Sequence, residues 1–348
     1  MKTSSWRPEE HFSSIACHPQ ADGLARAVCE LAAGTVCVAF PGHVARTVLA
    51  PRGADEGGMA QTRALELVWR GEPGGRGGDA VSPGACGPRL SVSPLRSLLG
   101  LPRTGEEPRV VGNAYLGPWM CRPLQMGADV VVEDLATWLG VDMVVLAARS
   151  ARAIVRALEL SGLAREESTD VDLASGPGRH ARAALAAAAP CVQRRSDNAL
   201  VIARYLQIHP QVAWVSYPGL PEDDAHEAAY ATLDHGFGPL LAFGLVPNAD
   251  GTDAVAELLS RTSGTRCLRD AGAAGTGGAA IAACGIGAGA IDASGRRDFD
   301  IDRTALLRLA PGAVMLRAGL EDPLDVVDDL EGCLAKTAAA HNWDPRGE

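Results

Sequence analysis

Lysine is nearly missing from this chain. Of 348 residues 32 are basic, and only Lys2 and Lys336 are lysines. Codon bias in a GC-rich genome accounts for most of such a ratio, but the consequence is the same. A mechanism that needs an interior amine nucleophile has almost nothing to draw on. Aromatic residues are scarce too, at 4%, so the interior is expected to be built from Ala, Val and Leu, which suits helices packed closely on a sheet. Excess positive charge is absent: the formal net charge is −10. That balance favours solubility and argues against a nucleic-acid groove, which needs a basic face. No run of 18 apolar residues occurs, so no membrane span is expected. Residues 1–14 hold no apolar stretch, which argues against a signal peptide, and the expected location is cytoplasmic.

Paired cysteine motifs are also missing. The nine cysteines form no CxxC pair, their number is odd, and several sit inside apolar runs. They read as buried free thiols of a reducing compartment rather than a disulfide framework. No zinc-type Cys/His spacing is present, and no metal is expected.

What is present is a well-patterned globular chain. Hydrophobic residues make up 47%, enough to bury a core. The apolar spacing predicts helices over 24–33, 43–49, 151–160, 181–189 and 196–208 and strands over 35–40, 109–113, 129–133, 141–147 and 212–217. Residues 71–108 are rich in Gly, Pro and Arg and read as loop, with one short helix over 94–99. Asp322-Pro323 marks a helix start, Asp as cap and Pro in the first turn. Strands alternating with helices predict an α/β layer with a mainly parallel sheet. Residues 1–22 read as an irregular arm, 23–175 as the α/β domain and 176–348 as an α+β C-terminal domain.

Several blocks resemble one family. NAYLGPWMCRPLQMGADVVVEDLATWL, residues 113–139, is similar without a gap to the cofactor-lysine segment of the cystathionine γ-synthase and O-acetylhomoserine sulfhydrylase family. These are the pyridoxal-phosphate (PLP) enzymes of cysteine and methionine metabolism. The matching pieces are Asn113, Cys121-Arg122-Pro123, Gly127-Ala128-Asp129, Val130 to Val132 and Trp138. Residues 196–220, 236–244 and 314–334 resemble later blocks of the same family in the same order, and 19–34 does so more weakly. The resemblance implies the PLP-dependent transferase fold (fold type I), with a shortened large domain. It also implies dimers or tetramers with active sites at subunit interfaces.

The resemblance also shows what is missing. The Schiff-base lysine falls at Thr137, and the aspartate that pairs with the pyridinium nitrogen falls at Gly112. The residues flanking the lysine fall at Asp134 and Ala136, where an aspartate would repel a phosphate. The substrate-carboxylate arginine falls at Met315, with Arg317 two residues on and therefore on the same strand face. The phosphate cradle falls at Pro41-Gly42, the ring-stacking tyrosine near Glu56, and the arm's Tyr-x-Arg at Ser13 and Ile15. These losses predict a pseudoenzyme for which no cofactor is expected: PLP is not covalently bound, and weak non-covalent binding of PLP stays open. They favour a non-catalytic partner, forming a homo-oligomer or a hetero-oligomer with an active PLP-family paralogue. One alternative is a PLP-independent enzyme with a remodelled pocket, for which Tyr115, Cys121, Asp134, Thr137 and Arg317 are the candidate residues. A weaker alternative is residual PLP-dependent carbon–sulfur chemistry of the transsulfuration type.

Two further features stay bland. Cys284-Gly285-Ile286-Gly287-Ala288-Gly289 has GxGxG rather than GxGxxG spacing and reads as a glycine loop. Glu133-Asp134 is either an acid–base pair or a helix-entry cap.

Overall fold

A computed structural model describes residues 23–49, 69–71, 90–92, 95–100, 108–113, 116–161, 163–246, 253–262, 264–270, 279–284 and 313–340. The arm predicted over 1–22, Tyr115 and the glycine loop 285–289 lie outside these residues. The chain divides into two units. One comprises Met1–Val68, Ser93–Val192 and Thr232–His235; the other comprises Trp69–Val92, Gln193–Ala231 and Gly236–Glu348.

In the first unit β1 (Val36–Pro41), β2 (Val110–Gly112), β3 (Val130–Asp134) and β4 (Met143–Ala148) form a sheet in the order β1-β4-β3-β2. These are the apolar runs read from the sequence, and β3 and β4 are buried along their whole length. The sheet differs from the expected one in its directions. β1/β4 and β3/β4 are antiparallel, and only β2/β3 is parallel. The connection lengths explain this. Residues 135–142 alone join β3 to β4, too few for a parallel crossover of a dozen or more, whereas 113–129 suffice between β2 and β3.

The unit's helices are α1 (Leu24–Leu31), α2 (Gly42–Leu49), α3 (Leu95–Gly100), α4 (Gly117–Met120), α5 (Pro123–Met126), α6 (Leu135–Trp138) and α7 (Ala151–Ser161). Val38, Phe40, Val130, Val132, Val144 and Leu146 pack on one sheet face against Ile154, Ala157 and Leu158 of α7. Each such fully buried large side chain contributes about 1.5–3 kcal/mol. Alternation turns Cys37, Val111, Val131, Glu133 and Val145 to the opposite face.

α8 (Gly176–Ile208) is one helix of 33 residues with Pro190 inside it. The sequence pattern had suggested two, over 181–189 and 196–208. Proline deprives the helix of one N–H bond and its ring crowds the turn before it, but Ala186 to Ala189 leave space there. Ser175 caps the start, its Oγ accepting from Gly178 N at 3.0 Å.

The second unit carries a five-stranded sheet of β5 (Val212–Ser216), β6 (Leu240–Leu245), β7 (Arg269–Asp270), β8 (Ala280–Cys284) and β9 (Ala313–Arg317), in the order β5-β6-β9-β8-β7. A separate antiparallel pair joins Trp69–Gly71 to Leu90–Val92, the second of these strands within the stretch read as loop. The helices are the end of α8, α9 (His226–Thr232), α10 (Ala254–Thr262) and α11 (Pro323–Ala340). Ile202 and Leu206 of α8, Val255 and Leu258 of α10, and Val326 and Leu330 of α11 cover Leu241, Phe243, Val314 and Leu316. Asp322 caps α11 as the sequence indicated, its carboxylate accepting from Leu324 N at 3.0 Å.

Candidate functional site

The segment that resembles the lysine region runs from β2 through α4 and α5 to β3 and α6. Gly112 ends β2 opposite Val132. The next residue, Asn113, continues the pairing by donating its backbone N–H to Val132 O at 2.8 Å. Its side chain is turned to the face that carries Glu133. Gly117 opens α4 at φ 65°, a conformation that suits glycine. Pro123 opens α5, and Gly127 ends it in the left-handed region. These punctuating residues set the crossover that makes β2 and β3 parallel neighbours.

Two polar side chains and a backbone carbonyl meet beneath this crossover. Asn113 Nδ2 donates to Glu133 Oε1 at 2.7 Å and lies 3.1 Å from the Cys121 carbonyl oxygen. Asn113 is 1% exposed, and Glu133 and Cys121 are fully buried. Burial pushes the Glu133 carboxyl up to about 8; the hydrogen bond from Asn113 opposes the shift and the nearby Asp134 charge adds to it. Glu133 is therefore mostly neutral at pH 7. The Cys121 thiol is pushed well above its ordinary range, chiefly by burial and then by Glu133 and Asp234. Such a thiol is an inert core group rather than a nucleophile.

Asp134 caps α6, its Oδ1 accepting from Ala136 N at 3.1 Å. Of the two roles read for the Glu133-Asp134 pair, the cap is thus the one Asp134 fills. Thr137 is the third residue of α6, and Trp138, the fourth, packs edge-on against Trp119 with ring centroids 5.2 Å apart. At the cradle position Pro41 has no N–H, and the Gly42 N–H donates to Asp142 O at 3.0 Å. Met315 and Arg317 belong to the other unit. They share one face of β9, Met315 buried between Ala242 and Ala282 and Arg317 half-buried beside Leu240 and Ala280. Cys121, Asp134 and Thr137 are thus brought to neighbouring elements, while Arg317 belongs to the other unit.

The Asn113–Glu133 contact was not foreseen. The available signal was a glutamate ending a strand of otherwise apolar residues, since a carboxyl rarely goes to full burial without a partner.

The fold is that of the PLP-dependent transferases of fold type I. The crystal structure of cystathionine gamma synthase from Xanthomonas oryzae pv. oryzae in complex with aminoacrylate and cysteine superposes over 90% of this chain and 84% of that one. The TM-score is 0.62 and the identity 19%. Residues 182–335 match the family described as Cys/Met metabolism PLP-dependent enzyme. A homocysteine/cysteine synthase of Kluyveromyces lactis is 51% identical over 59 residues, 16% of this chain and 13% of that enzyme. An L-methionine gamma-lyase of Pseudomonas deceptionensis is 26% identical over 231 residues, 66% of this chain and 54% of the lyase. The matched stretches thus span 13% of the synthase and about half of the lyase.

This family match corrects the expectation that no cofactor is used. The family is PLP-dependent by its description, and nothing among the described residues shows that cofactor binding has been lost. Pro41, Gly42, Gly112 and Asp134 are individual departures, and a binding site is the sum of many contacts. The chemistry is a separate matter. Position 137 offers a hydroxyl where the resemblance places an amine, and position 112 offers no carboxylate. Among the described residues no group of three or more His, Cys, Asp or Glu side chains is placed to hold a metal. Among them, too, no helix is long and apolar enough to cross a membrane.

Proposed function

We propose that this chain is a catalytically silent member of the Cys/Met metabolism PLP-dependent enzyme family that serves as a partner or regulatory subunit of an active, lysine-bearing paralogue. The observation that carries the reading is Thr137 in α6, directly beside the retained Trp138 and after the retained strand β3. The hydrophobic blocks that build the fold are kept, while the amine and the carboxylate that drive the chemistry are replaced. Of the chain's two lysines, Lys336 belongs to α11, far along the sequence from this segment. A chain under selection for its surfaces rather than its chemistry would show this pattern.

A second reading draws on Glu133. A buried carboxyl held near neutral pH can accept and return a proton, and in a PLP-dependent family it is the residue on which residual carbon–sulfur chemistry would rest. The partner reading is preferred because Glu133 is fully buried and bonded to Asn113.

Co-expression with a tagged, lysine-bearing paralogue from the same genome, with PLP supplied, tests the proposal. Stoichiometric co-purification supports it. A homo-oligomer that ignores the paralogue and turns over a γ-substituted amino acid alone favours the second reading.

A further inference from the structure

Cys29 lies in the last turns of α1 and Cys37 is the second residue of β1. The chain reverses between them through Ala32 to Thr35. Ala33 takes a positive φ of 63°, and Gly34 N donates back to Cys29 O at 2.8 Å. This tight closure returns β1 beside the helix it has just left. A Cβ on Gly34 would stand 2.8 Å from Cys29 Sγ, so the glycine leaves the space that the thiol fills. Cys29 is thereby set against the start of β1: its Sγ–H donates at 3.5 Å to the carbonyl of Val36, the residue before Cys37, and the Cys37 thiol is its neighbour in hydrogen bonding. Both cysteines are free, and both are buried.

We propose that Cys29 and Cys37 form a buried dithiol that hydrogen peroxide oxidises to an intramolecular disulfide. The two thiols are unequal. The hydrogen bond from Cys37 lowers the Cys29 pKa, the Arg26 guanidinium acting in the same direction and burial against it. Cys37 is held protonated, first by its bond to Cys29, then by burial and by the Cys29 and Asp170 charges. Cys29 is therefore the attacking sulfur and Cys37 the resolving one. In the first step the Cys29 thiolate attacks one peroxide oxygen. The O–O bond breaks, a sulfenic acid forms on Cys29, and the departing hydroxide takes up the Cys29 proton as water. In the second step Cys37 sulfur attacks the sulfenic sulfur. The S–S bond forms, the S–O bond breaks, and the hydroxide leaves with the Cys37 proton as a second water. Two thiols lose two electrons in all, and one peroxide becomes two waters. Burial selects the oxidant: a peroxide is small enough to reach enclosed sulfurs, whereas glutathione disulfide must present a bulky sulfur to them.

The test uses the full-length protein. After exposure to hydrogen peroxide, free thiols are alkylated and the protein is digested with trypsin. Arg26 and Arg46 flank the pair with no other cleavage site between them, so both thiols fall in one peptide. That peptide is expected to be two hydrogens lighter and to take up alkylating reagent only after reduction. Glutathione disulfide is expected to leave it unchanged. Cys37→Ser is expected to accumulate a dimedone adduct on Cys29, while Cys29→Ser yields none on Cys37. A peptide that stays in the dithiol form under peroxide that oxidises the half-buried Cys191, or an adduct on Cys37 in the Cys29→Ser protein, would overturn the proposal. The measurement on the unaltered protein decides alone if either serine variant fails to fold.

Discussion

Asn113 holds Glu133 in a place where neither meets solvent. The amide donates to Glu133 Oε1 at 2.7 Å, and Glu133 Oε2 has no hydrogen-bond partner among the described residues. A carboxyl so placed keeps its proton at neutral pH.

Glu133 titrates at about 8 in the folded chain and near 4.3 when unfolded. Between those values the folded state holds a proton that the unfolded state has released. This contribution to stability is present in full below about pH 4.3 and is lost as pH rises through about 8, at roughly 1.4 kcal/mol per pH unit. Glu133→Gln removes the proton and preserves the acceptor for Asn113. Denaturant titrations at pH 5, 7 and 9 should show the variant's stability changing less with pH than that of the parent protein. Parallel pH profiles would place Glu133 in contact with water.

Asn113→Ala leaves Glu133 Oε1 and the Cys121 carbonyl without their donor in a buried site. An expected loss of about 1–3 kcal/mol for a stranded polar group should appear as a lower urea midpoint with an unchanged slope. Asn113→Asp should cost more, since it sets a second carboxyl against Glu133.

In the second unit the buried Tyr217 hydroxyl lies 3.0 Å from Gly238 O and 3.1 Å from Ser196 O. Ser196 Oγ in turn accepts from Phe237 N at 2.9 Å. Tyr217→Phe should cost about 1–3 kcal/mol by removing the one hydroxyl donor that these two carbonyls share. Gly219→Ala should cost a comparable amount by crowding, since a Cβ there would lie 2.3 Å from Tyr217 Cε1. Thermal melts of the two variants provide the check, with the double variant falling short of additivity because the sites touch.

Thr137→Lys combined with Gly112→Asp returns an amine and a carboxylate to the positions the resemblance assigns them. With PLP supplied, turnover of a γ-substituted amino acid is expected to rise from background to a measurable rate in the double variant and to stay lower in either single one. Activity assays of the three proteins, checked for fold by circular dichroism, measure this.

Much of this was legible in the amino-acid order, and the misses have identifiable causes. Val130 to Val132 reads as a buried strand because nothing polar interrupts it, and Asp322-Pro323 announces α11 by local chemistry alone. The direction of β4 was missed although its cause is visible: 135–142 cannot span a crossover. Pro190 suggested a break in α8, but four preceding alanines tolerate it and tertiary packing carries the helix through. The Asn113–Glu133 contact joins residues twenty positions apart and depends on the parallel register of β2 and β3, which no local pattern encodes. Cys29 and Cys37 read as buried free thiols, as they are; that they touch depends on the turn at Ala33 and Gly34. Thr137 and Gly112 stood out only through the family resemblance.

Turnover of the purified chain with PLP present, measured alone and after mixing with the active paralogue, tests the central claim most directly. The account predicts no turnover by the chain alone and, in the mixture, a hetero-oligomer whose paralogue turns over at an altered rate. Sustained carbon–sulfur turnover by the chain alone, abolished by Glu133→Gln in a protein that still folds, would contradict it.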